Sequence, residues 1–367
     1  MKLTARVDRY RLPLGSSVRT ARSAFGERRG LIVTLESSAG EFGQGEAAPL
    51  PDYSDDSLEQ AERALTQLEL GWLSSVLARA EERPSSLLLT LAESACARVP
   101  SAHFALETAV LDLLARRRGI PVHRWLREAI GELPQGPAAS LALCALLGST
   151  NPLGDAERAL SAGFSHTKIK VGLPGREAQE LAELTALRER FPGLGLRLDA
   201  NGAWSSEVAA ARLRAFAPLG IEFIEEPTAP REAPLRDPAV PIALDESLRR
   251  GAVPTRAELD AQGIVALVLK PSVLGGISRS LALAAQARAL GRDGVLSHCF
   301  EGPVAFAALC ELGLALGPAR FARGLGPHLA LEAWPPRPAS LGRAEIVPHD
   351  QPGLGLGPAP IEAAPTP

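Results

Sequence analysis

Lys168 and Lys170 lie two apart in the run "HTKIKVG", residues 166–172, which otherwise reads as a buried strand. Side chains at i and i+2 on a strand share a face, so two ammonium groups stand where a core would place apolar ones. Later runs of the same kind also end in polar residues. "RLDAN" carries Arg197, Asp199 and Asn201, "FIEEP" carries Glu225 and Glu226, "ALDES" carries Asp245, and "LVLKP" carries Lys270. A single acid at a strand end is usually a helix cap or a loop ion pair, and Asn201 and Ser247 are expected to be caps. A lone Lys-x-Lys usually marks an exposed strand edge. Acids on three consecutive strands, with lysines on the strands before and after, are harder to dismiss. Burying so many charges is costly unless they pair or bind a cation.

Three carboxylates without His or Cys suit a hard divalent ion, Mg2+ rather than zinc, with Mn2+ as a substitute. Such an ion holds a substrate carboxylate and stabilises the charge that develops when its α-proton leaves. A lysine accepts that proton only as the neutral amine. Lys168 and the cation lower the pKa of Lys170, while the acids raise it. Lys270, on the other side of the ion, is a second acid/base or an electrostatic clamp. Alternation puts Glu225 and Glu226 on opposite faces and does not choose between them.

The elements that position these residues repeat every 20 to 30 residues. Strands are expected at 139–146, 166–171, 195–200, 221–225, 241–245, 265–270, 294–298 and 321–325, with helical segments between them. Eight such units point to a (β/α)8 barrel, whose chemistry sits at the C-terminal strand ends. An open doubly wound sheet is the alternative, but no GxGxxG follows the first strand. Residues 1–50 read as three strands. Two helices follow: "DSLEQAERALTQLELGWLSSVLARA", capped by Asp56 or Ser57, and "PSAHFALETAVLDLLARRRG", ended by Gly119. The expected division is an α+β capping domain over 1–135, a catalytic barrel over 136–325 and a C-terminal segment, 326–367, that packs back on the cap and ends in a frayed tail.

Composition sets outer limits. The 367 residues are 46% hydrophobic with a formal net charge of −3, which gives no electrostatic reason to expect nucleic acid or an anionic membrane. No apolar run reaches a membrane span and no signal peptide is read at the N-terminus. The scattered Cys96, Cys144, Cys299 and Cys310 suit buried free thiols in a reducing cytoplasm. The expected partner is a small-molecule carboxylate; the oligomeric state is not legible.

"TKIKVG", "RLDANGAW", "FIEEP", "ALDES" and "LKPSVLGG" resemble, in order and spacing, the motifs of the enolase superfamily, and most closely its muconate-lactonizing subgroup. Within that subgroup the chain resembles the o-succinylbenzoate synthase family, through "GQGEAAPLPDYSDDS" and "LSHCFEGPVAFAAL" as well. The resemblance implies a modified (β/α)7β barrel with an α+β cap, Asp199, Glu225 and Asp245 as Mg2+ ligands, and Lys170 as the base. It also implies Lys270 as an electrostatic partner of the enediolate and Lys168 as the residue that tunes Lys170. The activity implied is syn-dehydration to 2-succinylbenzoate; racemase, dipeptide epimerase and cycloisomerase chemistry use the same residues. His298 has no acid partner on strand six and is expected to line the pocket or fill core. Gly326 and Gly302–Pro303 stand where the family has an acid and a pair of serines. A mobile loop over 15–28, with its arginines, is expected to close over the mouth.

Overall fold

A computed structural model describes the chain except residues 1, 20–23, 132–138, 149, 230, 250–252, 329–336 and 358–367, and omits the side chains of 15–19, 24 and 82. The N-terminal alternation forms an antiparallel sheet of β1 (Leu3–Arg19), β2 (Ala24–Ser37) and β3 (Phe42–Ala47). Residues 15–28 therefore differ from the loop expected. Val18 pairs with Phe25 and Arg19 with Ala24, so the segment extends a hairpin whose turn, with Arg22, lies outside the described residues. The expected helix over 56–80 is two helices, α1 (Leu58–Thr66) and α2 (Leu70–Glu82). Its buried sets end at Leu65 and resume at Leu73. Eight residues of continuous helix would rotate the second set about 80° off the first, and the break re-aims it. Ser57 caps α1 in a capping box with Gln60. Asp56 instead accepts from the N–H of Ser101, at 2.9 Å, in the first turn of α4 (Pro100–Arg117). The short α3 (Leu87–Leu91) leads into α4, and α5 (Val122–Ile130) follows it. Helix α4 is buried all round and lies against β3, where a Cβ on Gly45 would meet the carbonyl of Ala105 at 1.8 Å.

The expected strand at 139–146 is split. β4 (Leu141–Ala142) pairs antiparallel with β12 (Glu345–Ile346), and β5 (Cys144–Leu147) opens the main sheet. That sheet is parallel and runs in chain order: β5, β6 (His166–Lys170), β7 (Gly195–Asp199), β8 (Phe223–Glu225), β9 (Ile242–Leu244), β10 (Ile264–Leu269) and β11 (Asp293–Leu296). Helices α6 (Pro152–Ser161), α7 (Glu177–Arg190), α8 (Ser206–Phe216), α9 (Arg256–Ala261), α10 (Pro271–Leu274), α11 (Ile277–Ala289) and α12 (Pro303–Leu316) connect the strands or follow them. The eighth strand expected at 321–325 is reduced to single parallel bridges, Leu143 with Arg323 and Ser297 with Gly324. Those bridges join the two edges of the sheet, so the barrel closes as seven strands and a short seam.

Phe223, Ala243, Ala266, Val268, Val295 and Phe321 form a separate small core. Arg197 stacks on Phe223 at 4.8 Å, donates to Glu222 at 2.7 Å and to the carbonyl of Ala322 at 2.8 Å. Arg197 is thus part of the barrel floor, one pleat below Asp199, and not a group of the mouth.

Buried carboxylates fasten the cap to the barrel. Glu46 of β3 accepts from the N–H groups of Gly302 (2.6 Å) and Ala305 (3.0 Å) at the start of α12. Glu107 of α4 accepts from Ile277 at 2.5 Å at the start of α11. In the reverse direction, Glu311 of α12 accepts from His123 N–H at 2.8 Å in the first turn of α5. Each acid satisfies donors that a helix start leaves unpaired. The C-terminal segment meets the same helices: Val122 donates to the carbonyl of Gly353 at 2.9 Å, and Arg116 to that of Leu356 at 2.6 Å. The expected boundary near residue 135 and the frayed tail both fall outside the described residues.

Candidate active site

Parallel pairing sets the acids and lysines side by side. Lys170 is in register with Asp199, and Asp199 with Glu225; Asp245 and Lys270 follow directly on β9 and β10. Asp199, Glu225 and Asp245 are each 3% exposed. Backbone conformation separates the two adjacent glutamates. Glu226 has a φ of +38° and turns away to accept from the N–H groups of Asp245 (2.8 Å) and Ser247 (3.3 Å) and from the Ser247 hydroxyl. Glu226 thus braces the loop after β9, while Glu225 joins the lysines. Ser247 is bound to this acid and is not a cap. Asn201, at φ +47°, is not one either; Ser205 caps α8 by accepting from Val208.

The three lysines differ. Lys168 donates to Asp199 (3.2 Å) and Glu225 (2.8 Å). Burial works against its charge, but Glu225 and Asp199 outweigh burial and hold its pKa above the ordinary lysine value. Lys270 donates to Asp245 and, at 2.6 Å, to the Tyr53 hydroxyl, which itself donates to Asp245 at 3.2 Å. Against burial, Asp245 and then Tyr53 keep Lys270 firmly cationic. Among the described residues Lys170 makes no ion pair or hydrogen bond. Burial lowers its pKa, opposed by Asp199 and reinforced by Lys168 and Lys270. One lysine is therefore free and inclined to the neutral amine, between two that are fixed as ammonium ions. Tyr53 was not singled out from sequence: it reaches the site from the cap, and Arg249 stacks on its ring at 3.9 Å.

His298 is fully engaged. Its Nδ1 accepts from Phe300 N–H at 3.2 Å and its other N–H bonds the backbone of Gly326. Burial, then Lys168 and Lys270, push its pKa down to about 3. A ring so tied and so weakly basic lines the site as a neutral group. Two glycines flagged in the sequence are set by packing. A Cβ at Gly326 would meet the Cys144 carbonyl at 2.6 Å, and one at Gly302 would meet Glu46 at 2.7 Å. Arg28, in the expected mobile segment, is buried and donates to the carbonyls of Ala48, Pro49, Cys299 and Phe300.

The donor set fits a hard divalent ion: three carboxylates, oxygen ligands only, on consecutive strand ends beside one another. Their ligand atoms do not all lie within 4.8 Å of one another; among the described residues that holds only for His123, Glu311 and His349. That second cluster is a hydrogen-bonded clasp. Glu311 accepts from His123 Nδ1 and His349 Nε2, each at 2.8 Å. The Nδ1 of His349 accepts from Gln351 N–H at 3.1 Å, which fixes its proton on Nε2, facing the acid and leaving no lone pair there for a metal.

Comparison with known proteins agrees with this geometry. Residues 153–361 match a family described as enolase C-terminal domain-like, and residues 2–113 match one described as MenC, N-terminal domain. The o-succinylbenzoate synthase of Aliivibrio fischeri (strain ATCC 700601 / ES114) is 31% identical over 318 residues, 84% of this chain and 86% of that one. The o-succinylbenzoate synthase of Yersinia pseudotuberculosis serotype O:3 is 31% identical over 323 residues, 86% and 88% of the two chains. Among solved structures, a dipeptide epimerase from Methylococcus capsulatus, complexed with Mg and the dipeptide L-Arg-D-Lys, superposes with a TM-score of 0.76 at 26% identity, over 97% of this chain and 99% of that one.

Proposed function

The chain belongs to the enolase superfamily, and from that premise we propose that it is an o-succinylbenzoate synthase acting in menaquinone biosynthesis in the cytoplasm. The reaction is syn-elimination of water from 2-succinyl-6-hydroxy-2,4-cyclohexadiene-1-carboxylate to give 2-succinylbenzoate. The observation that carries the reading is the asymmetry of the lysines: Lys170 free with a lowered pKa, Lys168 and Lys270 held as cations. Asp199, Glu225 and Asp245 would hold Mg2+, with Mn2+ as a substitute. Lewis-acid neutralisation of the substrate carboxylate is the chemistry that ion supplies when bound.

Neutral Lys170 takes the α-proton, and the C–H electron pair passes into the carboxylate as an enediolate. As the pair returns to form the ring double bond, the C–O bond breaks and Lys170 gives its proton to the departing hydroxyl. Water leaves and the ring becomes aromatic. One residue on one face serves both halves, which is what a syn-elimination requires. Lys270 steadies the negative charge, oriented by Asp245 and Tyr53. Lys168 keeps a positive charge beside Lys170 and favours its neutral form.

The likeness to a dipeptide epimerase supports a second reading, in which Lys170 and Lys270 exchange a proton from opposite faces. The firm cationic state of Lys270 counts against it as a second base. Turnover of the cyclohexadiene substrate with Mg2+, before and after EDTA, tests the first reading; deuterium wash-in with N-acylamino acids and dipeptides tests the second. Full activity after exhaustive chelation, or α-deuterium exchange on a dipeptide without dehydratase activity, overturns the synthase reading.

A further inference from the structure

Five of the six histidines have a hydrogen-bond partner. His103 bonds the Gly275 carbonyl, His123 and His349 bond Glu311, His166 bonds Glu222, and His298 bonds Phe300 and Gly326. His328 has none: it is 7% exposed, and neither ring nitrogen meets a partner among the described residues. A buried polar group left unpaired is destabilising and calls for an explanation.

The position of His328 supplies one. Its ring lies against His298, centroids 4.4 Å apart, with Phe300 at 5.6 Å and Phe306 at 5.4 Å. It follows the segment that closes the barrel, on the side where the strand ends carry the chemistry. Gly326 has no room for a side chain, so His328 is the first polar side chain after Arg323. The surroundings favour an anion. Lys168 and Lys270 act electrostatically on the adjoining His298, and Arg28 acts on His328 itself. The carboxylates of this region are already engaged, Glu46 by Gly302 and Ala305 and Glu301 by Cys299 and Ser272. Burial, then His298 and Arg28, keep the ring neutral, so it offers one N–H donor and one acceptor.

We infer that His328 is a specificity-determining residue whose imidazole N–H receives the terminal carboxylate of the substrate's succinyl side chain, at the distal end of the pocket from the catalytic lysines. The inference rests on the synthase reading. It explains how a pocket without a side chain at 326 selects a substrate with a second carboxylate. It also explains why a buried ring is left without a partner: the partner is the ligand.

The test uses full-length protein with Mg2+ and two binding probes: 2-succinylbenzoate, and 2-butanoylbenzoate, which keeps the ketone but lacks the terminal carboxylate. His328→Phe should weaken the first probe by about tenfold or more, the difference a hydrogen bond to a charged group makes, and leave the second unchanged. KM for the cyclohexadiene substrate should rise with it while kcat stays within about threefold. His328→Gln, which keeps an N–H donor, should retain most of the preference. The melting temperature of His328→Phe should equal or exceed that of the wild type, because an unpaired polar ring has been removed. Equal weakening of both probes, or of neither, overturns the inference, as does a Gln variant indistinguishable from Phe. Failure of the wild type to turn over the cyclohexadiene substrate defeats the synthase reading instead, and the two-probe comparison still reports on His328.

Discussion

Lys168→Met separates electrostatic support from catalysis. The Lys168 ammonium lies 3.2 Å from Asp199 and 2.8 Å from Glu225, and its side chain is only 17% exposed. Methionine keeps the length and removes the charge, leaving two buried acids without their cation. Breaking a buried pair by removing one partner costs about 3–5 kcal/mol. The lower end is expected here, because burial already raises the pKa of Glu225 and the acid can take up a proton. A divalent ion on the same acids restores the missing positive charge, and at 100 times its dissociation constant binding contributes about 2.7 kcal/mol. Urea unfolding in EDTA should therefore show a loss of about 3 kcal/mol for Lys168→Met, and excess Mg2+ should remove most of the difference from wild type. The base should also change: with a like charge gone and two acids freed, the pKa of Lys170 rises, and the alkaline limb of the rate profile needs higher pH. A variant as stable as wild type in EDTA, or one whose deficit Mg2+ leaves untouched, would show that Lys168 does not neutralise a metal-binding acid pair.

Lys170→Arg should leave the melting temperature unchanged, since the lysine is unpaired, yet lose at least about 10²–10⁴-fold in turnover because guanidinium does not deprotonate; near-normal rates would make the lysine a clamp and not the base. His298→Asn should keep turnover within about tenfold of wild type, because both ring nitrogens are bound to backbone and the ring is too weakly basic to take a proton; a loss matching that of Lys170→Ala would make His298 the base. Tyr53→Phe should lower kcat by about tenfold, the scale of a hydrogen bond to a charged group, with KM little changed; the reverse pattern would put Tyr53 in substrate binding. Burial raises the Glu222 pKa, but His166 and Arg197 overcome it and bring the value from 4.5 down to about 2. Its contribution is therefore complete above the unfolded pKa and lost as pH falls from about 4.5 through about 2, on the order of 3 kcal/mol. Glu222→Gln should accordingly be less stable than wild type at pH 7 and converge on it near pH 2, and parallel stability curves would refute the assignment.

The strand-end motifs were legible because their geometry is local. Strand alternation and the parallel order of the barrel bring Lys168, Lys170, Asp199, Glu225, Asp245 and Lys270 together without long-range information. The structure also separates Glu225 from Glu226, through the positive φ at Glu226, which alternation does not express. Tyr53 and His328 were missed for different reasons. Tyr53 reaches Asp245 across 192 residues of chain from another domain. His328 is recognisable only by the partners it lacks, and a sequence records no such property. Arg197 was placed one layer too high because strand alternation gives the face of a side chain and not its depth. The 321–325 segment has strand-like residues, but only Arg323 and Gly324 bridge to other strands, so its pattern overstated its pairing.

The acids that cross between cap and barrel limit how the two parts can be recombined. A barrel grafted beneath another relative's sheet keeps the backbone of Gly302 and Ala305 but loses Glu46 unless the donor also has an acid at that point. The same holds for Glu107 at Ile277 and, in the opposite sense, for Glu311 at His123. The halves are thus bound by reciprocal commitments, each supplying the terminal charge for a helix of the other. Divergence of the cap, which meets the substrate, is confined to the hairpin and loops between these anchors. New specificities in such a chain arise by exchanging residues around fixed fastenings rather than by exchanging whole domains.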